Sequence, residues 1–381
     1  MGCLLYKNCG GCVYRECGLE AYRTQKEKNV KELLEKNLGD LEGIWETPVF
    51  LPDGIRRRAA FAFEMKGNKL VFGFNENKSA EIENIAHCDM LSENINSVLG
   101  DVYELLVKLC AVEAGETKKG KIKQKKQMRC GDFQILDAEN GLDAVLEADI
   151  ELNLDHRFEI ADFMNAHEKF IRFSFRKKHV WQAEPVVQKA KPFVKMGNTD
   201  VFVSAGDFLQ PSKEGEKALI GLVQKYVGQT RGKMADLFCG IGTFSYTLAE
   251  LDKTTVVSVD VSKPLLENFA KSVDAQMISN IIIMQKDLFL YPMSSNELEN
   301  FDVVVIDPPR AGAKGVVQEL CKIEKEARPQ KIIVVSCNPL TFARDAKMLT
   351  SSGYVLKKIT FVDQFVYSEH SEVVALFTNE K

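Results

Sequence analysis

Three widely spaced residues could between them make and break a bond to carbon. A run of apolar β-branched residues ends in Ser336-Cys337-Asn338-Pro339. About thirty residues upstream stands Val303-Val304-Val305-Ile306-Asp307-Pro308-Pro309-Arg310, and about thirty downstream His370-Ser371-Glu372 opens a last apolar run. A thiol, a carboxylate and a base at the ends of such runs are the parts of a covalent catalyst. Pro339 suits the first residue of a helix and Asn338 its cap. Cys337 is therefore expected beside a helix N-terminus, where partial positive charge lowers a thiol pKa. The plain alternative for Cys337 is a small buried hydrophobe, the role expected of Cys110, Cys130, Cys239 and Cys321.

A second constellation reads as a ligand site. Asp236-Leu237-Phe238-Cys239-Gly240-Ile241-Gly242-Thr243-Phe244 joins a strand to a helix through two glycines, which let the backbone turn tightly and approach a ligand. Ser245 stands where a dinucleotide fingerprint has its third glycine, which argues against NAD. Asp260, eighteen residues after Gly242, could accept both hydroxyls of a ribose, and Asp287 could accept from an adenine amino group. Helix capping or turn formation is the plain reading of both. Taken together they point to an adenosine without a diphosphate, that is, S-adenosylmethionine.

A thiolate beside a methyl sulfonium answers a chemical need. C5 of uracil is a poor nucleophile until sulfur adds to C6, and a base must later take the C5 proton so that the thiolate can leave. Glu372 is the candidate base and His370 its competitor, although either could instead cap or pair at a strand start. Asp307-Pro308-Pro309 is similar to motifs of amino-group methyltransferases, which need no thiol. Methylation of an amino group in nucleic acid is the alternative activity, and an iron–sulfur RNA-binding module with a vestigial cofactor fold is the non-enzymatic one.

At the other end, Cys3, Cys9 and Cys12 fall within ten residues on a glycine-rich segment, with Cys88 downstream and Cys17 a rival fourth ligand. Spacing alone suits an iron–sulfur cluster or zinc equally.

These residues need elements to hold them. A helix pattern covers Leu19 to Leu38, with Leu33, Leu34 and Leu38 on its stripe. Ala59–Phe63 and Leu70–Phe74 alternate as a hairpin about Lys66-Gly67-Asn68. A helix follows around Ser92 to Ala111, then a basic loop, then short strands and turns from Gly131 to about Val203. From about Pro211 helices alternate with apolar runs at Met234–Phe238, Thr254–Val259, Ile281–Met284, Val303–Ile306 and Lys331–Ser336, the rhythm of a doubly wound parallel sheet. Sites on such sheets lie at the carboxyl ends of the strands, where Cys239, Asp260, Asp287, Asp307 and Cys337 all fall. Val355–Phe361 and Val373–Phe377 complete the pattern as a terminal hairpin.

Composition sets the limits. With 381 residues and 45% hydrophobic, the chain can bury at least two cores. No apolar stretch approaches the roughly 20 residues of a membrane span, so a cytoplasmic protein is expected, with its ten cysteines as thiols or ligands rather than disulfides. The net charge is −4, so any nucleic-acid surface must be local. The candidates are Lys118 to Arg129 with seven cations and no acid, Arg56-Arg57-Arg58, and Arg172 to Lys178 interleaved with Phe173 and Phe175. Each also reads as a solvated face or loop.

Cys3/Cys9/Cys12/Cys88, Asp207-Phe208-Leu209-Gln210, Asp236 to Phe244, Asp307-Pro308-Pro309-Arg310, Ser336-Cys337-Asn338-Pro339 and His370-Ser371-Glu372 together resemble the S-adenosylmethionine-dependent RNA uracil-C5 methyltransferases, over nearly the whole chain. The resemblance implies that the cluster is 4Fe-4S on Cys3, Cys9, Cys12 and Cys88. It implies that Gln210, Phe238, Gly240, Gly242, Thr243, Asp260, Asp287 and Asp307 line the cofactor site, with Cys337 the nucleophile and Glu372 the base. Thr243 and Asp287 replace asparagines found in some members. The implied fold is α/β: a C-terminal Rossmann-like class I methyltransferase domain (206–381), an α+β central RNA-binding domain (91–205) and a cysteine-rich iron–sulfur region with the first central strands (1–90). Many relatives begin with a small β-barrel that this chain is expected to lack, leaving RNA grip to the middle domain. The cluster cysteines favour 23S ribosomal over transfer RNA, with the target uridine unstacked, and a monomer is expected.

Overall fold

A computed structural model describes residues 3–77, 79–118, 121–180 and 182–380, without the side chains of 114–125. It separates into two compact units that interleave along the chain. One comprises Met1–Val13, Pro52–Val194 and Val203–Lys213; the other comprises Tyr14–Leu51, Lys195–Phe202 and Glu214–Lys381.

The first unit is built on a seven-stranded sheet in the order Glu184–Gln188, Phe170–Lys177, Gly141–Ala148, Cys130–Ala138, Arg58–Lys66, Lys69–Asn75, Ile82–Asn84. Phe61, Phe63, Phe72, Phe133 and Phe173 project from it into one core. The helix Leu99–Ala111 closes that core because Leu99, Val102, Leu105, Leu106 and Leu109 recur at helical spacing and are all buried. Arg58–Lys66 pairs along its length with Cys130–Ala138. Strands that the sequence assigns to separate regions, 1–90 and 91–205, thus share one sheet, because strand pairing ignores distance along the chain. The basic segment forms a hairpin, Glu113–Lys118 with Lys121–Gln127, rather than a loop. Of its cations, the side chains of Lys118, Lys119, Lys121, Lys123 and Lys125 lie outside the described residues, and Lys126 and Arg129 are exposed.

The second unit carries an eight-stranded sheet in the order Val49–Phe50, Val355–Asp363, Glu372–Thr378, Lys331–Ser336, Val303–Ile306, Gly232–Leu237, Thr254–Asp260, Ile281–Gln285. All neighbours are parallel except Glu372–Thr378, which runs antiparallel to both of its partners. Val303–Ile306 is buried throughout, as expected of a strand covered on both faces. The helix Leu19–Leu38 forms at the expected place and adds Val30 and Leu34 to this core. Its periodicity shows an apolar stripe but not which core the stripe joins, so the sequence places it with the cysteine region instead. Among the described residues no helix is long and apolar enough to cross a membrane.

Two of the three basic clusters are structural. Arg172 is buried and grips Asp143 with both prongs, at 2.8 and 2.7 Å, while Arg176 pairs with Glu147 and Lys177 with Glu151. Arg57 is buried and donates to the Gln210 carbonyl at 3.0 Å, and Arg58 donates to the Leu209 carbonyl at 3.1 Å with its guanidinium 5.1 Å from the Phe208 ring. Arg57, Arg58 and Arg172 thus serve backbone carbonyls and one buried carboxylate, whereas Lys177 and Glu151 pair at the surface. Arg172→Met strands the Asp143 charge and is expected to cost about 3–5 kcal/mol, read as a fall in melting temperature. Adding Asp143→Asn should recover most of that loss; equal melting of single variant and parent would show that the pair carries no weight.

Candidate active site

Strand register assembles the reactive groups. Lys331–Ser336 pairs antiparallel with Glu372–Thr378, and Ser336 lies opposite Val373. The next residue outward on each strand is Cys337 on one side and Glu372 on the other, so the two are neighbours. Val303–Ile306 flanks the first of these strands and delivers Asp307 to the same end. The three groups sense one another: Glu372 and Asp307 both oppose ionisation of Cys337, and Glu372 opposes that of Asp307.

The Cys337 thiol is pushed up to about 11 by burial, then by Glu372 and Asp307, against the pull of Arg310. This corrects the expectation of a thiol lowered by its helix. The helix is present, Pro339–Ser351, and Asn338 caps it by accepting from Leu340 N at 3.1 Å. A helix terminus is worth about 0.3–1 kcal/mol, too little against burial and two carboxylates. At neutral pH Cys337 rests as a neutral thiol.

Glu372 is buried and accepts a hydrogen bond from Gln364 Nε2 at 3.0 Å. Burial pushes its carboxyl up to about 7, with the Gln364 bond opposing. A carboxylate of that pKa is suited to general-base work at neutral pH. Its competitor His370 is exposed, accepts from Arg310 Nη2 through Nδ1 at 2.9 Å, and meets Phe365 edge-on at 5.4 Å. Burial, followed by the charges of Glu372 and Asp236, holds Asp307 well above the usual carboxylate range. Asn338 Nδ2 and Thr341 Oγ1 donate to the Arg310 carbonyl at 2.9 and 3.3 Å, tying the Asp307–Arg310 turn to the helix that follows Cys337.

The ligand turn follows Gly232–Leu237. Phe238, Gly240 and Gly242 all have positive φ, at 64°, 57° and 91°. A Cβ on Gly240 would meet nothing within 4 Å, whereas one on Gly242 would fall 2.6 Å from Phe269. A packed ring thus already requires glycine at 242, whereas Gly240 borders open space. Asp260 accepts from Gly240 N at 3.0 Å and Ser262 N at 2.8 Å, which fixes the turn. Asp287 Oδ1 accepts from Phe289 N and Leu290 N at 2.9 and 3.1 Å, the turn-forming role. Thr243 lies half-buried in the same turn. Phe238 and the exposed Phe289 lie 5.4 Å apart, and Val261 is also exposed. Open space, a carboxylate and an apolar wall suit an adenosine-bearing donor. Asp236 does not reach for a ligand. It is buried, accepts from Ser245 Oγ at 2.5 Å, and burial pushes it up to about 7. Gln210 belongs to the first unit, where it is buried.

Sequence alone does not single out Gln364; its place directly after the strand Val355–Asp363 is the available signal.

In the first unit the thiols are neighbours. Burial raises Cys9 and Cys88; Cys3 adds to both, and Cys9 adds to Cys88. Arg56 faces Cys88, Cys12 and Cys9. Three thiols about one guanidinium, with Cys3 close to two of them, supply the donor chemistry of a thiolate-bound cluster. Yet among the described residues no group of three or more His, Cys, Asp or Glu is arranged to hold a metal ion. The thiols are gathered without being in ligating geometry. Cys17 is exposed and falls in the second unit.

The fold is shared with a solved structure, the Pyrococcus abyssi tRNA (uracil-54, C5)-methyltransferase in complex with S-adenosyl-L-homocysteine, at a TM-score of 0.71 and 22% identity over 96% of this chain and 86% of that one. That likeness is one of fold. A protein of Brucella melitensis biotype 1 named as an uncharacterized RNA methyltransferase is 32% identical over 99% of this chain and 83% of its own length. One from Caulobacter vibrioides with the same description is 33% identical over 99% and 85%. The 23S rRNA (uracil(1939)-C(5))-methyltransferase RlmD of Erwinia tasmaniensis is 27% identical over 99% and 82%. The family model of tRNA (uracil-5-)-methyltransferases matches residues 176–380, and the chain belongs to that family. It is an RNA uracil-C5 methyltransferase.

Alkylation of Cys337 by iodoacetamide, followed by peptide mass spectrometry across pH, should be slow at neutral pH with its half-rate near 11. In Glu372→Gln the midpoint should move down, because a neighbouring negative charge is gone. An unmoved midpoint would separate the two residues.

Proposed function

We propose that the protein methylates C5 of a uridine in 23S ribosomal RNA through a covalent adduct of Cys337 with uracil C6, and that Glu372 removes the C5 proton. The observation that carries this reading is the register that sets Cys337 against Glu372 across two antiparallel strands. S-adenosylmethionine, when bound at the Asp236–Phe244 turn, supplies an electrophilic methyl carbon. Phe238, Gly240, Gly242, Thr243, Asp260, Asp287 and Asp307 are the proposed cofactor residues. Asp260 retains lone pairs for ribose hydroxyls beyond its two backbone bonds.

Cys337 Sγ, having lost its proton, adds to C6 and places an electron pair on C5. After C5 is methylated, the Glu372 carboxylate takes the C5 proton, the C6–S bond breaks and its pair returns to sulfur. Burial serves both partners: a base near neutrality can accept that proton, and a thiol of high pKa is a strong nucleophile once ionised. The RNA target is supported by the likeness to the ribosomal enzyme and by the cysteines, while the solved neighbour acts on transfer RNA, so both RNAs belong in the test. We propose the basic segment that ends in the exposed Lys126 and Arg129 as the RNA grip, since Arg57, Arg58 and Arg172 are engaged internally.

RNA bearing 5-fluorouracil has no C5 proton to lose and should trap the enzyme as a denaturation-resistant adduct. Cys337→Ala should form none. Absence of the adduct, or an N-methylated base made by Cys337→Ala, would overturn the covalent reading in favour of amino-group methylation.

Cys3, Cys9, Cys12 and Cys88 are proposed to hold a 4Fe-4S cluster whose role is structural, because methyl transfer to an activated carbon moves no electron to a metal. Anaerobically purified protein should contain iron and sulfide, and Cys88→Ser should lose both and melt at lower temperature. Zinc in place of iron would reject the cluster.

A further inference from the structure

The N-terminal helix reaches the catalytic end of the sheet through a buried polar cluster. Tyr22, Lys26 and Asp363 are all buried. Lys26 Nζ lies 2.6 Å from Asp363 Oδ1, and Tyr22 OH donates to Asp363 Oδ2 at 2.5 Å. Lys26 Nζ also donates to the Phe365 carbonyl at 3.0 Å, and Tyr367 N donates to Tyr22 OH at 2.8 Å. Further along the chain the Tyr14 amide donates to the Tyr367 carbonyl at 3.0 Å, and the Arg15 guanidinium lies 4.6 Å from the Tyr367 ring. Tyr367 itself has φ of 60°, a conformation that non-glycine residues adopt only when their surroundings impose it. Two residues of the first helix therefore fix Asp363 to Tyr367 at four points.

Within that fixed segment lies Gln364, whose side chain donates to Glu372 at 3.0 Å. A buried ion pair is weak evidence of stabilisation, because desolvation offsets most of its attraction. A cluster of this kind is better understood by what it orients. We infer that Tyr22 and Lys26, acting through Asp363 and Gln364, are positioning residues that aim Glu372 at the C5 proton. The inference rests on the reading of Glu372 as the base. The charged or titratable groups that face Glu372 are Cys337, from the end of the adjacent strand, and Asp307, from the end of the strand beyond it, and neither donates to it as Gln364 does.

The loss of this support should appear in one step. The full-length enzyme, tritiated S-adenosylmethionine and unmodified 23S and transfer RNA transcripts allow methyl transfer and adduct release to be timed separately, the adduct being resolved on denaturing gels. Glu372→Gln should trap the adduct. Gln364→Leu, and the double variant Lys26→Met/Asp363→Asn that removes the ion pair without stranding a charge, should slow release at least tenfold more than they slow transfer. The pH midpoint of release should also rise, because a donor that favours the ionised carboxylate has been lost or misdirected. A general loosening of the fold would slow both steps together and leave the midpoint in place. Gln364→Leu alters one side chain and carries the test if the double variant does not fold. Trapping by Glu372→Gln alongside parental release and midpoint in Gln364→Leu overturns the positioning alone. Normal release in Glu372→Gln overturns the base assignment and this inference with it.

Discussion

Much of this molecule depends on one reversed strand. Glu372–Thr378 enters a parallel sheet antiparallel to both neighbours, between Lys331–Ser336 and Val355–Asp363. Had it run parallel, Glu372 would lie at the amino end of the sheet, far from Cys337. Reversal brings the start of this strand to the end where every other strand finishes, so a residue from the final connection meets one from the end of Lys331–Ser336. The pairing then fixes their separation to within a strand spacing, roughly 5 Å. No loop of comparable length could hold two reactive side chains so firmly.

The same closeness has an electrostatic consequence. Asp236, Asp307 and Glu372 are carboxyls held above their ordinary range chiefly by burial, and Cys337 is a thiol raised by burial and by two of them. Grouped acids of this kind oppose one another's ionisation, which is unfavourable for the fold and is characteristic of sites arranged for proton transfer. Arg310 opposes these effects on the thiol and is itself engaged with His370.

The two-glycine turn shows how a motif can be right for a reason other than the first one offered. Gly240 borders open space, but Gly242 is demanded by Phe269, a buried aromatic ring on the helix Lys263–Ala275. Asp260 and Asp287 likewise spend part of their hydrogen-bonding capacity on their own turns. A site residue often stabilises the loop that presents it, and the structural and functional readings of such a residue do not exclude each other.

Local pattern in this chain determined the strands and most helices. Buried parallel strands must be continuously apolar and surface helices must be striped, so Val303–Ile306, Lys331–Ser336 and Leu19–Leu38 were legible with their ends. The identities of Cys337, Asp307 and Glu372, each at the edge of an apolar run, followed from the same patterns. Only tertiary structure decided what those patterns share. It joined strands from 58–84 and 130–188 in one sheet, assigned the first helix to the second core, turned Arg172 inward onto Asp143, raised rather than lowered the Cys337 thiol, and set Gln364 on Glu372. The reason is physical: periodicity reports how a segment meets some surface, whereas pairing, burial and the charges around a group depend on which other segments of the chain come to lie beside it.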